Sequence, residues 1–143
     1  MVLPHEENDT ADYSARLTRA QTALLTRART KTIRTQGKEK AELPRGRTVS
    51  LLVTEGPFQG ESYPIQKPQI VIGRADGDIV IKDPKISRLH CVVEVHGMSA
   101  LVVDLNSGNG TFLNGRKVAS FEIEHMAEFQ IGKTTLMYVV GGR

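Results

Sequence analysis

His-Cys-Val-Val-Glu-Val (residues 90–95) and Ala-Leu-Val-Val-Asp-Leu (residues 100–105) are the two runs whose reading decides the fold. Both are too short for a stable helix, and both alternate as a strand does, with successive side chains on opposite faces. Cys91, Val93 and Val95 share one face, and Val92 and Glu94 the other. Leu101, Val103 and Leu105 oppose Val102 and Asp104 in the same way, and the first set of each run is expected to face the core. Outward from this pair the pattern repeats. Thr48–Val53, Ser62–Ile65, Gln69–Gly73, Asp78–Ile81, Thr111–Leu113, Phe121–Ile123, Glu128–Ile131 and Thr135–Val140 are further short β-rich runs. Gly-Pro, Asp-Gly, Asp-Pro, Ser-Gly-Asn-Gly, Asn-Gly and Gly-Lys turn signals separate them. Asn114-Gly115 is a two-residue hairpin signal, because both residue types tolerate positive φ. Many short strands at this spacing predict an all-β sandwich of about eleven strands.

In a sandwich the strands are scaffold, and the loops at one end carry function. Three polar loop groups stand out. Gly73-Arg74 ends one strand, Ser87-Arg88-Leu89-His90 precedes the next long one, and Ser107-Gly108-Asn109-Gly110-Thr111 follows Asp104-Leu105 and leads to Asn114-Gly115. Taken in order, Gly-Arg, Ser-x-x-His, Asn-Gly-Thr and Asn-Gly resemble the signature of forkhead-associated (FHA) domains. The resemblance covers about residues 48–140.

That resemblance implies a phosphothreonine-binding module with its recognition loops at one end. Arg74 and Ser87 would contact the phosphate, Arg88 would flank it, and Asn109 would hydrogen-bond the peptide backbone. Ser107, Gly108 and Thr111 complete the expected peptide-binding set. His90 would buttress the loops with Gly73, Gly110, Asn114 and Gly115 in support. The chemistry fits. A phosphate carries nearly two charges and three strong acceptor oxygens. A guanidinium presents a planar fork of donors, and bonds to ionised groups are about twice as strong as neutral ones. Ser87 offers a hydroxyl and a backbone N–H. One position departs from the family. Many members carry a hydroxyl side chain just before Asn-Gly-Thr, and here that residue is Gly108, which predicts one phosphate hydrogen bond fewer.

Other readings of these residues are weaker. Arg74 could pair with Asp76 or Asp78 on the surface. Ser87 and His90 could be a nucleophile and its base, but a third partner and a nucleophile-elbow sequence are missing. Gly132-Lys133-Thr134 resembles the end of a phosphate loop, yet the first glycine of that motif is absent (Ala127 stands there), and a hairpin turn fits better. His5, His96 and His125 show no metal-ligand spacing with Cys91 or with carboxylates. No cofactor or metal is expected, and no enzymatic activity. A phosphate-independent structural adaptor, as in secretion-apparatus FHA domains, is the alternative function.

Charge divides the chain. Of the 19 Lys/Arg and 16 Asp/Glu in its 143 residues, residues 1–47 hold 10 and 6, and the remainder −1 net. The basic balance is therefore a property of a tail, residues 1–47, set before a domain at 48–143. Tyr13 to Lys38 contains no acidic residue and is rich in threonine. It is expected to be mostly disordered, with at most a weak helix over 13–30, since β-branched threonines lower helix propensity. Thr30, Thr32 and Thr35 lie beside Arg29, Lys31 and Arg34 and are candidate phosphosites for a basic-directed kinase. A phosphothreonine so tethered would meet its own reader at high effective concentration. No apolar run approaches the roughly 18 residues of a membrane helix, and the first residues do not form a signal peptide. With one cysteine no internal disulfide can form. The reading is a cytoplasmic monomer whose partners are phosphothreonine proteins and a Ser/Thr kinase, not membrane or nucleic acid.

Overall fold

The computed structural model describes residues 41–142, so the tail readings for residues 1–40 lie outside the described residues. Those described form eleven strands: β1 (Arg47–Glu55), β2 (Ser62–Pro64), β3 (Gln69–Gly73), β4 (Ile79–Val80), β5 (Cys91–His96), β6 (Ser99–Asp104), β7 (Thr111–Leu113), β8 (Arg116–Lys117), β9 (Ser120–Ile123), β10 (Glu128–Ile131) and β11 (Thr134–Gly142). They make two sheets, ordered β2-β1-β11-β10-β7-β8 and β4-β3-β5-β6-β9. All pairings are antiparallel except β3 with β4.

Alternation explains the packing. On β1, Val49, Leu51 and Val53 are buried while Ser50, Leu52 and Thr54 are half-buried, and β11 presents Leu136, Tyr138 and Val140 in the same way. The second sheet answers with Ile70, Ile72, Cys91, Val93, Val95, Ala100, Val102, Phe121 and Ile123, all in one core with Phe129 and Ile131. Phe121 and Phe129 meet edge-to-face with centroids 5.8 Å apart, the arrangement that aromatic quadrupoles favour. Burial drives the Cys91 thiol well above its usual range and the Tyr138 phenol up to about 12.

The β6 facing expected from sequence is reversed. Cross-strand partners share a face, and the ladder pairs Val93 with Val102 and Val95 with Ala100. Val102 and Ala100 therefore point into the core, and Leu101 and Val103 point away beside Glu94 and Val92. Val92 and Glu94 lie on that outer face too, but both are buried.

The same antiparallel order decides which loops meet. The end of β3, the start of β5, the end of β6 and the start of β7 fall at one rim, together with the β10–β11 turn. Asn114 and Gly115 turn β7 into β8 with φ of 53° and 79°, and Leu113 pairs with Arg116 across them. The Asn-Gly hairpin expected from sequence is therefore present.

Candidate functional site

Gly73 brings two loops to backbone contact. A β-carbon there would overlap the carbonyl oxygens of Arg88 and Asp76, so only glycine lets the end of β3 lie this close to the Ser87–Arg88 segment. The next residue is fixed at two points. Arg74 N–H donates to the Ser87 carbonyl at 2.8 Å, and its Nε–H donates to the Ile86 carbonyl at 2.8 Å. The guanidinium plane is thus set from one edge. Its terminal nitrogens meet no carboxylate among the described residues, because Asp78 pairs with Lys67 at 2.7 Å and Asp76 with Arg88 at 3.1 Å. The surface ion-pair reading of Arg74 does not hold. Arg88 itself is exposed and engaged with Asp76.

Ser87 sits 2.9 Å from the Gly108 N–H, which donates to its Oγ, so its own O–H is left to donate outward. Its backbone N–H is committed inward, to His90 Nδ1 at 3.0 Å, and only the hydroxyl of the two donors expected from sequence faces the rim. Asn109 is exposed and donates one amide hydrogen to the Lys85 carbonyl at 2.9 Å, which keeps its side-chain oxygen and second hydrogen available.

The 107–110 loop is shaped by Asp104. One carboxylate oxygen accepts the Ser107 N–H at 3.0 Å; the other accepts the hydroxyls of Ser107 at 2.6 Å and Thr111 at 2.7 Å. Ser107 Oγ also accepts the Gly110 N–H at 2.9 Å. The two hydroxyls expected among peptide-contacting groups are thus turned into the loop.

His90 holds the two loops together. It is fully buried, accepts from Ser87 N–H at Nδ1, and donates from Nε2 to the Gly110 carbonyl at 2.9 Å. Only the neutral ring can do both. Burial lowers its pKa below the ordinary 6.5, although the Gly110 carbonyl and the charges of Asp104 and Asp83 pull the other way. A proton on Nδ1 would face the Ser87 N–H donor. Because the folded pKa is depressed, the unfolded chain takes the proton more readily. This contribution to stability is complete above about pH 6.5 and is lost as pH falls from there toward the folded value. Melting temperature should therefore drop between pH 6.5 and 5, and the drop should be smaller in His90→Asn, measured by thermal denaturation across that range.

Asp83 is a second organiser, on the loop below Ser87. Its Oδ1 accepts the Lys85 N–H at 2.9 Å, and its Oδ2 accepts the Lys133 N–H at 2.7 Å and the Thr134 hydroxyl at 2.8 Å. Burial alone would raise its pKa, but these bonds and the nearby Lys133 charge hold it below the usual carboxylate value. Gly132-Lys133 is the β10–β11 turn, with Gly132 at φ 59°, and the donors of the Gly-Lys-Thr triplet already hold an anion, the Asp83 carboxylate. Sequence reading missed this role. Asp-Pro reads as a turn signal, and the residues that make Asp83 indispensable lie 50 and 51 positions away.

Three of the four motif groups are joined by hydrogen bonds at one rim, Arg74 to Ser87 and His90 to Gly110, and the fourth, Asn114-Gly115, closes the β7–β8 hairpin. A family model described as the cytoplasmic domain of the inner membrane component of T3SS matches residues 52–140. The glycogen accumulation regulator GarA of Mycolicibacterium smegmatis is 36% identical over 100 residues, which are 69% of this chain and 63% of that protein. The oxoglutarate dehydrogenase inhibitor of Corynebacterium jeikeium is 33% identical over 102 residues, 71% of this chain and 70% of that protein. Among solved structures, the chain resembles the FhaA FHA domain complexed with the intracellular domain of Rv3910 (TM-score 0.56, 28% identity), covering 63% of this chain and 98% of that one. It also resembles a domain solved in an analysis of phosphothreonine-dependent FHA interactions (TM-score 0.58, 28% identity), covering 64% of this chain and 95% of that one. The chain belongs to the FHA family. The match takes in less than two thirds of GarA, so what that whole regulator does is not carried over to this FHA protein. Among the described residues no helix is long and apolar enough to cross a membrane.

Proposed function

We propose that this FHA domain captures phosphothreonine on a partner protein, downstream of a Ser/Thr kinase. One observation carries the reading. The Arg74 guanidinium, pinned through Nε to the Ile86 carbonyl and without a carboxylate among the described residues, and the Ser87 hydroxyl, which accepts the Gly108 N–H, lie on segments joined by the Arg74–Ser87 backbone bond at a rim closed by the 107–110 loop. A dianion needs a cation and fixed donors set before it arrives, because ordering them on binding would cost entropy. His90, Asp104 and Asp83 supply that order from behind. Kinship with proteins named as regulators and inhibitors supports a binding role rather than chemistry on a substrate, and the likeness to FHA domains solved in phosphothreonine-dependent and protein complexes supports the ligand class.

In this reading Arg74 and Ser87 bind phosphate and Asn109 binds the peptide backbone. Ser107 and Thr111 act through Asp104, and Arg88 tunes the rim through Asp76. The protein works as a cytoplasmic monomer without cofactor or metal. The phosphate-independent adaptor is disfavoured because it gives no reason to leave a pinned guanidinium without a carboxylate among the described residues at the rim that also carries the Ser87 hydroxyl. Thr30, Thr32 and Thr35 remain candidate internal ligands once phosphorylated.

The test is to titrate a phosphothreonine peptide into isotope-labelled protein and map amide shifts. They should concentrate at residues 74, 86–88 and 107–110. Shifts confined to the opposite rim would sink the proposal. Gly108 provides a finer check. A β-carbon there would meet only Ser87 Oγ, at an ordinary 3.8 Å, so threonine fits. Its hydroxyl should add one hydrogen bond to an ionised group, and Gly108→Thr should tighten binding about tenfold in the same titration.

A further inference from the structure

The five-stranded sheet has a second apolar face, turned away from the sandwich core. Val71, Val92 and Val103 form one row across β3, β5 and β6, and Glu94 stands beside Leu101 in the next. Leu89 and Leu105 extend the first row toward the recognition rim. These groups form clusters separate from the inter-sheet core. They are nevertheless dry, from 0% exposed at Val92 and Leu105 to 8% at Leu101, and Glu94 is only 4% exposed. One face of an antiparallel sheet can remain wet, but a face this dry calls for a third layer. Among the described residues there is no helix, and all eleven strands lie in the two sheets.

We propose that residues 13–28 of this same chain supply that layer, as an amphipathic helix laid on the outer face of the five-stranded sheet. The chain upstream leaves from the right place. Glu42 is the point where it joins the domain: its N–H donates to the Val95 carbonyl at 2.8 Å, and its carbonyl accepts the Gly97 N–H at 2.9 Å. It therefore continues the plane of this sheet at the end of β5. Residues 29–40 can span up to about 40 Å when extended, more than the roughly 20 Å length of β5 or β6. A helix over 13–28 would be about 24 Å long, a match for the face it would cover.

The side chains also fit. Tyr13, Leu17, Ala20, Leu24 and Ala28 fall at i, i+4, i+7, i+11 and i+15, one stripe of a helix. The two alanines let a backbone approach a flat row of valines. Arg16 and Arg27 flank the stripe and complement the carboxylate that Glu94 places on this face. Thr18, Thr22 and Thr26 fall on the opposite side, toward water. Threonine-rich sequence makes such a helix weak in isolation, so its stability would come from the sheet. The folded unit would then begin near residue 13, well before the start of β1.

Hydrogen exchange on the full chain tests this. Amides of residues 13–28 should be protected. Leu17→Asp/Leu24→Asp should abolish that protection and lower the melting temperature by at least about 5 °C. Thr22→Asp, on the far side, should do neither. The proposal is overturned if residues 13–28 exchange like an unstructured peptide in the unaltered chain, or if the double variant melts with it. It is equally overturned if protection of β5 and β6 appears only at concentrations where a dimer sediments, which would put a second copy on this face.

Discussion

Arg74→Ala is expected to weaken phosphothreonine-peptide binding by at least about 100-fold while the domain stays folded. The terminal nitrogens of this guanidinium are charged, are set in place by the Nε bond to the Ile86 carbonyl, and meet no carboxylate among the described residues. Hydrogen bonds to an ionised group are worth about 1.5–3 kcal/mol each, and losing a two-pronged contact removes at least about 3 kcal/mol. The structural cost is smaller. The substitution deletes the bond from Nε to the Ile86 carbonyl, at a part-buried position, whereas the backbone bond from Arg74 to Ser87 survives. Calorimetric titration paired with a melting curve separates the two effects. Arg74→Lys should fall between, since an ammonium keeps the charge but not the planar fork.

Asp83→Ala should be the most damaging single change to the fold near the site, lowering stability by roughly 3 kcal/mol or more. The substitution leaves the Lys133 N–H and the buried Thr134 hydroxyl without the acceptor they share, and frees the Lys85 N–H. For a domain of this size that is a fall of more than about 12 °C in melting temperature. The damage should also reach the rim, because Asp83 fixes the chain two residues before Lys85, whose carbonyl holds Asn109. In the parent protein the sign with pH follows from the depressed carboxyl pKa. The contribution is present above the ordinary value of about 3.8 and is lost as pH falls through the lower folded value. Chemical denaturation of the parent and variant at pH 7 and pH 3 should show the gap between them narrowing at the acid end.

What could be read from sequence follows physical range. Alternation and turn chemistry are local, so most strands, the Asn114-Gly115 hairpin and the hairpin reading of Gly132-Lys133 were legible. The order of the site motifs was legible too, since loops that follow successive antiparallel strands must gather at alternate rims. Besides the role of Asp83, three things were not. The inward face of β6 depends on its register with β5, and both faces of that strand are apolar enough to be core. Ser87's backbone N–H and the hydroxyls of Ser107 and Thr111 are turned inward by His90 and Asp104, a choice that only the closed loop makes. Arg116–Lys117 pairs as β8 only because the hairpin brings it beside β7. Nothing in two charged residues announces a strand.

The central claim is that one rim of this sandwich is a receptor for a phosphate dianion. The most direct measurement is calorimetric titration of one peptide in two forms, with threonine and with phosphothreonine at the same position, against the full chain. The account predicts saturable binding of the phosphorylated form alone. Equal affinity for both forms would contradict it.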